Sequence, residues 1–325
     1  VNLANQNPFP DGILKIMHGG FRDDSTTAHG ARLGRRAFAR LTVVTAAAVT
    51  AGCAAEPTAA PTTPTPTRTV PPTSTVPLII GTSAESFVGD YGTGDFSQWV
   101  VQCKGYNGEG SKFPGSYSAT IVDDPSHGKA ARFEVRTGDV APFGGGERSE
   151  VSGGGASGGT DGQIRWYRFA TKFDETFPVN HADLGWGLTN QWHGDSTSGT
   201  PPLNWSVSTE NGQWTLLADR QSSPGGYLGK VALFSTPLNV GTWHDVMMQI
   251  GWSATDSAGF VELWHNGDRQ TFADGSQTYH VRTLVPGTAD PSVYYKEGYY
   301  RQNGIAATGV VFHAGFRCAG SQEAL

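Results

Sequence analysis

Cysteine is scarce in this 325-residue chain, with only Cys53, Cys103 and Cys318. Three cysteines cannot make a disulfide-dense scaffold, so any large domain here must be held by buried side chains. Helical periodicity is missing too: from Phe87 onward no stretch keeps a 3.6-residue apolar repeat, which speaks against a helical bundle. Long hydrophobic runs are absent. The one mild run, Leu41 to Gly52, is too short and too rich in Ala and Thr to span a bilayer stably. Basic charge is also in deficit. Of 23 basic and 29 acidic side chains, six and three lie in the first 52 residues, leaving 17 and 26 and a net charge of −9. Such a domain is a poor non-specific binder of nucleic acid and a poor match for a densely sulfated polyanion. A sparsely charged polymer can still use a local basic groove. His181, His244, His265, His280 and His313 show no metal-ligand spacing, so no catalytic metal and no required cofactor is expected.

Three segments precede or form the domain. Residues 1–30 are polar and patternless; Val1 is not a methionine, and Met17 is a later candidate start. Arg35-Arg36-Ala37-Phe38 followed by the mild apolar run reads as a twin-arginine export signal. It ends in Thr50-Ala51-Gly52-Cys53, which resembles a lipoprotein cleavage box with Thr where Leu is usual. Residues 1–53 are therefore expected to be an export signal with Cys53 lipidated, the alternative being an ordinary signal peptide. The expected protein is cell-surface or secreted, touching a membrane only through that anchor. Residues 54–77 are almost all Ala, Pro, Thr and Ser and read as a disordered linker. The folded domain is expected over 78–325, with a monomer as the default. An oxidising compartment favours a Cys103–Cys318 disulfide, because first and last strands are often neighbours in β-sandwiches; two free buried thiols are the alternative.

Short alternating strands and turn signals fill the rest. Gln163 to Phe173 places Ile164, Trp166 and Arg168 on one face and Tyr167, Phe169 and Thr171 on the other. Trp243–Trp252 and Gly259–Asp268 are expected to pair, and Asn266-Gly267 is a hairpin turn signal. Ser152–Gly159 reads as a mobile glycine-rich loop. Trp166, Trp192 and Trp205 are expected in the core. The architecture expected is an all-β antiparallel jelly roll with a concave groove.

Three stretches carry chemistry. In Gly187–Gly194, Gln191 and His193 share a strand face opposite Trp192. In Gly146–Val151, Arg148 and Glu150 share a face; taken alone they are as easily a structural ion pair. In Tyr294–Arg301, Lys296 and Tyr300 share a face with Gly298 between them. Tyr299 and Tyr300 alternate, so one is core and the other faces ligand. Polar groups of this kind are costly in a dry core and suit a groove that holds a polar ligand. Glu150, Asn204, Tyr299 and Arg301 are added as substrate-binding candidates.

With GERSEV, QWHG, YYKEGYYRQ and the WHDV…IGWS…GFVELWHNG block, Asp95 to Phe312 resembles the heparin-lyase-I-like and glucuronan-lyase-like polysaccharide lyases. The resemblance implies a β-jelly roll that holds an acidic, uronic-acid-containing polysaccharide. It also implies β-elimination, which leaves a 4,5-unsaturated uronate. In that chemistry Gln191, Arg148 and Lys296 neutralise the uronate carboxylate. His193 and Tyr300 occupy the positions of proton-transfer groups, either of which could be the base. A structural calcium is compatible with the fold group, but no segment spells one. An unsulfated glucuronan-like polymer is favoured. The competing readings are a non-catalytic carbohydrate-binding jelly roll and a glycoside hydrolase. The latter is disfavoured because Glu147 and Glu150 face opposite ways on their strand.

Overall fold

The computed structural model describes residues 86–110, 117–179, 185–194, 199–208 and 212–325. The expected export signal, Cys53, the linker, the domain start at Leu78 and His181 lie outside them. The strands are numbered in chain order. One sheet contains β1 (Phe87–Gly89), β4 (Ala119–Asp124), β5 (Gly128–Val135), β8 (Ile164–Phe173), β13 (Trp243–Gly251), β14 (Phe260–His265), β15 (Asp268–Arg269), β16 (Tyr279–His280) and β18 (Gly309–Ala319). The other contains β2 (Phe96–Cys103), β3 (Tyr106–Gly110), β6 (Glu147–Ser152), β7 (Gly159–Thr160), β9 (Gly187–Gly194), β10 (Leu203–Ser208), β11 (Gln213–Gln221), β12 (Tyr227–Pro237) and β17 (Ser292–Arg301). All pairings are antiparallel, and the only helical pieces among the described residues are two short 3₁₀ turns. This is the expected jelly-roll sandwich.

Alternation decides what lies between the sheets. Tyr167, Phe169 and Phe173 from β8 meet Trp192, Trp205, Trp214 and Tyr295 from the opposite sheet, all essentially inaccessible to solvent. Burying an aromatic ring of this kind is among the larger favourable terms in folding. The expected β13–β14 pair forms, with Met248 opposite Leu263. Asn266 and Gly267 turn β14 into β15 with φ of 52° and 88°, the left-handed geometry such a two-residue hairpin demands.

Three expectations fail. Cys103 and Cys318 are both free and buried. The first strand, β1, does lie beside the last, β18, but Cys103 is on β2, which has crossed to the other sheet. Cys103 pairs with Ser149, itself opposite Tyr299, whereas Cys318 lies by Gly158, which abuts Val293. Those levels are six residues of β17 apart, about 20 Å at strand rise, far beyond disulfide reach. Burial pushes the Cys103 thiol up to about 12 and the Cys318 thiol up to about 11, so neither is poised to react. Ser152–Gly159 is not a loose loop. The buried Ser157 hydroxyl accepts the Tyr295 N–H at 3.0 Å, and Gly158 carries its α-carbon against the Val293 carbonyl, where any side chain would collide. Glycine is there for close approach. Finally, Trp166 is only half-buried, on the outward face of β8 beside Trp264.

Candidate active site

The site grows from three adjacent strands, in the order β9, β17, β6. Lys296 is opposite Gln191 on one side and Ser152 on the other; Gly298 is opposite Glu150, and Tyr300 is opposite Arg148. Their even-spaced side chains share the sheet face that points away from the core. Gly298 has φ 138°, and a Cβ there would run into the Ser149 carbonyl and Glu150 Cα. The missing side chain lets Lys296 and Glu150 meet across it.

Glu150 is the centre of the cluster. It is 2% exposed, accepts Gln191 Nε2 at 2.5 Å and Lys296 Nζ at 2.8 Å, and takes a longer contact from Arg148 Nη1 at 3.3 Å. Burial works to raise its carboxyl, but Lys296 and then Arg148 outweigh it and hold the pKa below the ordinary value. Burial also draws the Lys296 ammonium down, against Glu150. With Glu150 ionised, two cations face one anion, so the cluster carries one uncompensated positive charge.

Arg148 is the cation with capacity left. Its Nε is buried without a hydrogen-bond partner, and its guanidinium lies 3.7 Å from the Tyr300 ring centre and 4.8 Å from that of Phe143. Gly146 N–H donates to Tyr300 Oη at 3.3 Å. Trp186 meets the Tyr300 ring edge-on at 4.8 Å. Phe143 and Trp186 are 47% and 43% exposed, unusual for rings that size. Sequence reasoning missed both; the signal available was an aromatic set directly before Gly144-Gly145-Gly146 and another just before β9.

His193 sits at the other end. Its Nδ1 donates to the Gly194 carbonyl at 2.6 Å, so in the neutral ring Nε2 carries the lone pair. Burial first, then Lys296, lowers its pKa, and the ring is neutral near pH 7. Tyr294 Oη is 3.3 Å from Nδ1. His193 and Tyr300 share one face, but six residues of β17 separate Tyr294, opposite His193, from Tyr300. They flank the cluster instead of standing side by side.

The structure brings Arg148, Glu150, Gln191, His193, Lys296 and Tyr300 together, and Asn204 next to Gln191 across β9–β10. Asn204 is buried and already committed, donating to Asp219 at 2.6 Å and accepting from Ser206 at 2.7 Å. Tyr299 and Arg301 are corrected. Both point inward and are fully buried; Tyr299 packs on Phe177, and Arg301 pairs with Glu147 at 3.0 Å and donates to the Ile305 carbonyl at 3.2 Å. Strand parity puts them with Tyr295 and Glu297. No group of three or more His, Cys, Asp or Glu side chains is arranged to hold a metal among the described residues.

An antiparallel sandwich thus carries Arg148, Glu150, Gln191 and Lys296 as one polar cluster on an outer sheet face. A polysaccharide lyase family model matches residues 91–317, and the chain belongs to that family: it is a polysaccharide lyase. No curated protein sequence matches the chain. Among solved structures it is similar to the endo-β-1,4-glucuronan lyase of the fungus Trichoderma reesei, at 16% identity and TM-score 0.52, covering 74% of this chain and 96% of that one. It is also similar to alginate lyase A1-II′ of polysaccharide lyase family 7, at 17% identity and TM-score 0.49, covering 70% and 96%. An alginate lyase from Pseudomonas aeruginosa matches at 15% identity and TM-score 0.47, over 70% and 100%.

Proposed function

We propose that this lyase cleaves an unsulfated uronic-acid polymer, glucuronan-like, by β-elimination, leaving a 4,5-unsaturated uronate. The observation that carries the reading is the single uncompensated positive charge beside Tyr300, which matches one substrate carboxylate. The net charge of −9 beyond residue 52 disfavours a densely sulfated chain. The fold is one it shares with an enzyme that acts on glucuronan.

The uronate carboxylate docks on the free N–H groups of Arg148, and the cluster's positive charge stabilises the charge that builds on that carboxylate as C5 loses its proton. In glucuronate the C5 hydrogen and O4 lie on the same side of the ring, so one group can serve both. We assign this role to Tyr300. Its oxygen receives the Gly146 N–H and its ring lies under the Arg148 guanidinium, so both contacts hold it against the cluster. As phenolate it takes the C5 proton. The C–H electrons form the C4=C5 bond, the C4–O4 bond breaks, and Tyr300 returns the proton to O4. His193 contributes its Nε2 lone pair from the far end of the cluster, where it orients the polymer.

The test is ultraviolet absorbance of the unsaturated product over a panel of uronic-acid polymers. On glucuronan Tyr300→Phe is expected to lose roughly 10²–10⁴-fold in kcat, and His193→Ala clearly less. Equal activity of Tyr300→Phe and the native protein would remove Tyr300 from the chemistry. No rise on any uronan would overturn the substrate class.

A further inference from the structure

The sheet that does not carry the catalytic cluster has an outward face of its own, and its rows are uneven. Register places Trp264, Met247 and Arg168 side by side across β14, β13 and β8. The row two residues on is Asp245, Ala170 and Ala314, across β13, β8 and β18. The next is Trp243, Lys172 and Phe312. Two alanines between rows of large side chains leave a trough running across the strands. Neither belongs to the hydrophobic cluster packed between the sheets; Ala170 follows Phe169, which does, and Ala314 follows the inward-facing His313. The trough is an open cavity of about 630 Å³, lined by Arg168, Ala170, Asp245, Met247, Trp264 and Ala314.

The lining has the chemistry of a sugar site. Trp264 and Met247 give an apolar wall of the kind that covers the C–H face of a pyranose ring. Asp245 Oδ1 is 3.0 Å from His127 Nε2, and His127 is stacked on Trp243 at 4.3 Å, so an acceptor for hydroxyls is fixed at the edge. Arg168 is exposed and has no hydrogen-bond or ion-pair partner among the described residues, although Lys172 beyond it is held by Asp124 at 2.7 Å. An unpaired guanidinium beside an aromatic wall, in a domain of net negative charge, is suited to a carboxylate-bearing ring.

We propose that this trough is a second carbohydrate site that binds a stretch of the same acidic polysaccharide on the face opposite the catalytic cluster. The ligand class rests on the uronan reading above. A polymer held here stays near the enzyme, and re-engagement at the catalytic face becomes effectively intramolecular.

The experiment uses the full chain carrying Tyr300→Phe, titrated calorimetrically with glucuronan, alginate and neutral glucan oligosaccharides. Two binding events are expected with the uronan and one after Arg168→Glu is added. Arg168→Glu alters an exposed, unpartnered side chain, so folding is preserved; Trp264→Ala is the second variant, accepted only if its thermal unfolding matches. In the otherwise native protein, Arg168→Glu is expected to cleave short oligosaccharides at the native rate and dilute polymer several-fold more slowly. A single binding event unchanged by Arg168→Glu would overturn the second site. Two events with neutral glucan, indifferent to Arg168→Glu, would overturn its acidic ligand. Failure of the catalytic reading shows separately, as absence of the ultraviolet rise in the native protein.

Discussion

Two polar clusters hang from alternate residues of one strand, and they are chemically opposite. On the outer face of β17, Lys296 and its neighbours Arg148 and Gln191 surround Glu150 with cations and donors, and its carboxyl is held below the ordinary range. On the inner face, one residue further on, Glu297 accepts hydrogen bonds from hydroxyls, Tyr91 Oη at 2.6 Å and Tyr295 Oη at 3.1 Å, with His313 Nδ1 3.9 Å away. Burial pushes that carboxyl up to about 8. His313 lies beside it, donating through Nε2 to the Gly298 carbonyl at 3.0 Å, and burial lowers its ring to about 4. Both acids are sequestered from solvent, so burial alone does not decide ionisation; the nearest charge does. The inner cluster is kept neutral and grips the backbone of Gly298. The outer cluster is kept charged on the sheet face that points away from the core.

Removing the central anion should have the largest effect on the outer cluster. Glu150→Gln leaves Lys296 and Arg148 facing each other without a counter-ion, and roughly 3–5 kcal/mol of stability is expected to go. Urea unfolding measures it; a midpoint within error of the native protein would show that the cluster does not depend on Glu150.

The inner cluster should answer to pH instead. A carboxyl whose folded pKa is raised binds its proton longer in the folded state, so stability falls as pH rises from the unfolded value to about 8. Below about pH 6.5, His193, His244, His265 and His313, all with lowered pKa, slope the other way, because the unfolded chain takes up their protons first. Glu297 therefore governs the window from about 6.5 to 8. Glu297→Gln is expected to flatten the decline in melting temperature there. An unchanged slope would mean Glu297 is ionised in the fold.

The smallest effect expected is at the rim. Trp186→Ala removes a half-exposed ring from beside Tyr300 and should raise KM several-fold, about 1 kcal/mol, with kcat nearly unchanged. A loss in kcat alone would make Trp186 a support for Tyr300 and not a sugar platform.

Much of the outer cluster was legible. Gln191 with His193, Arg148 with Glu150, and Lys296 with Tyr300 follow from alternation, and the hairpin at Asn266-Gly267 from its backbone preference. Glu150 was legible only as a member of the patch. That three donors would close on it depends on the register of three separate segments. Tyr299 and Arg301 were misplaced because adjacency in sequence to Lys296 and Tyr300 says nothing of which face a residue takes until parity is anchored. No local signal joins the inner cluster: Tyr91, Glu297 and His313 come from three separate segments of the chain.

What the sequence by itself determined is local: strand alternation, turn chemistry, and the residue types on each face, because a period of two and a left-handed turn are set within a few bonds. The tertiary structure decided the rest. It chose which strands are neighbours, set Gly298 against Glu150, put Cys103 and Cys318 at different levels of different sheets, and gave two buried carboxyls opposite protonation. Those outcomes depend on contacts between residues far apart in the chain, where register and the nearest charge, not composition, set the energy.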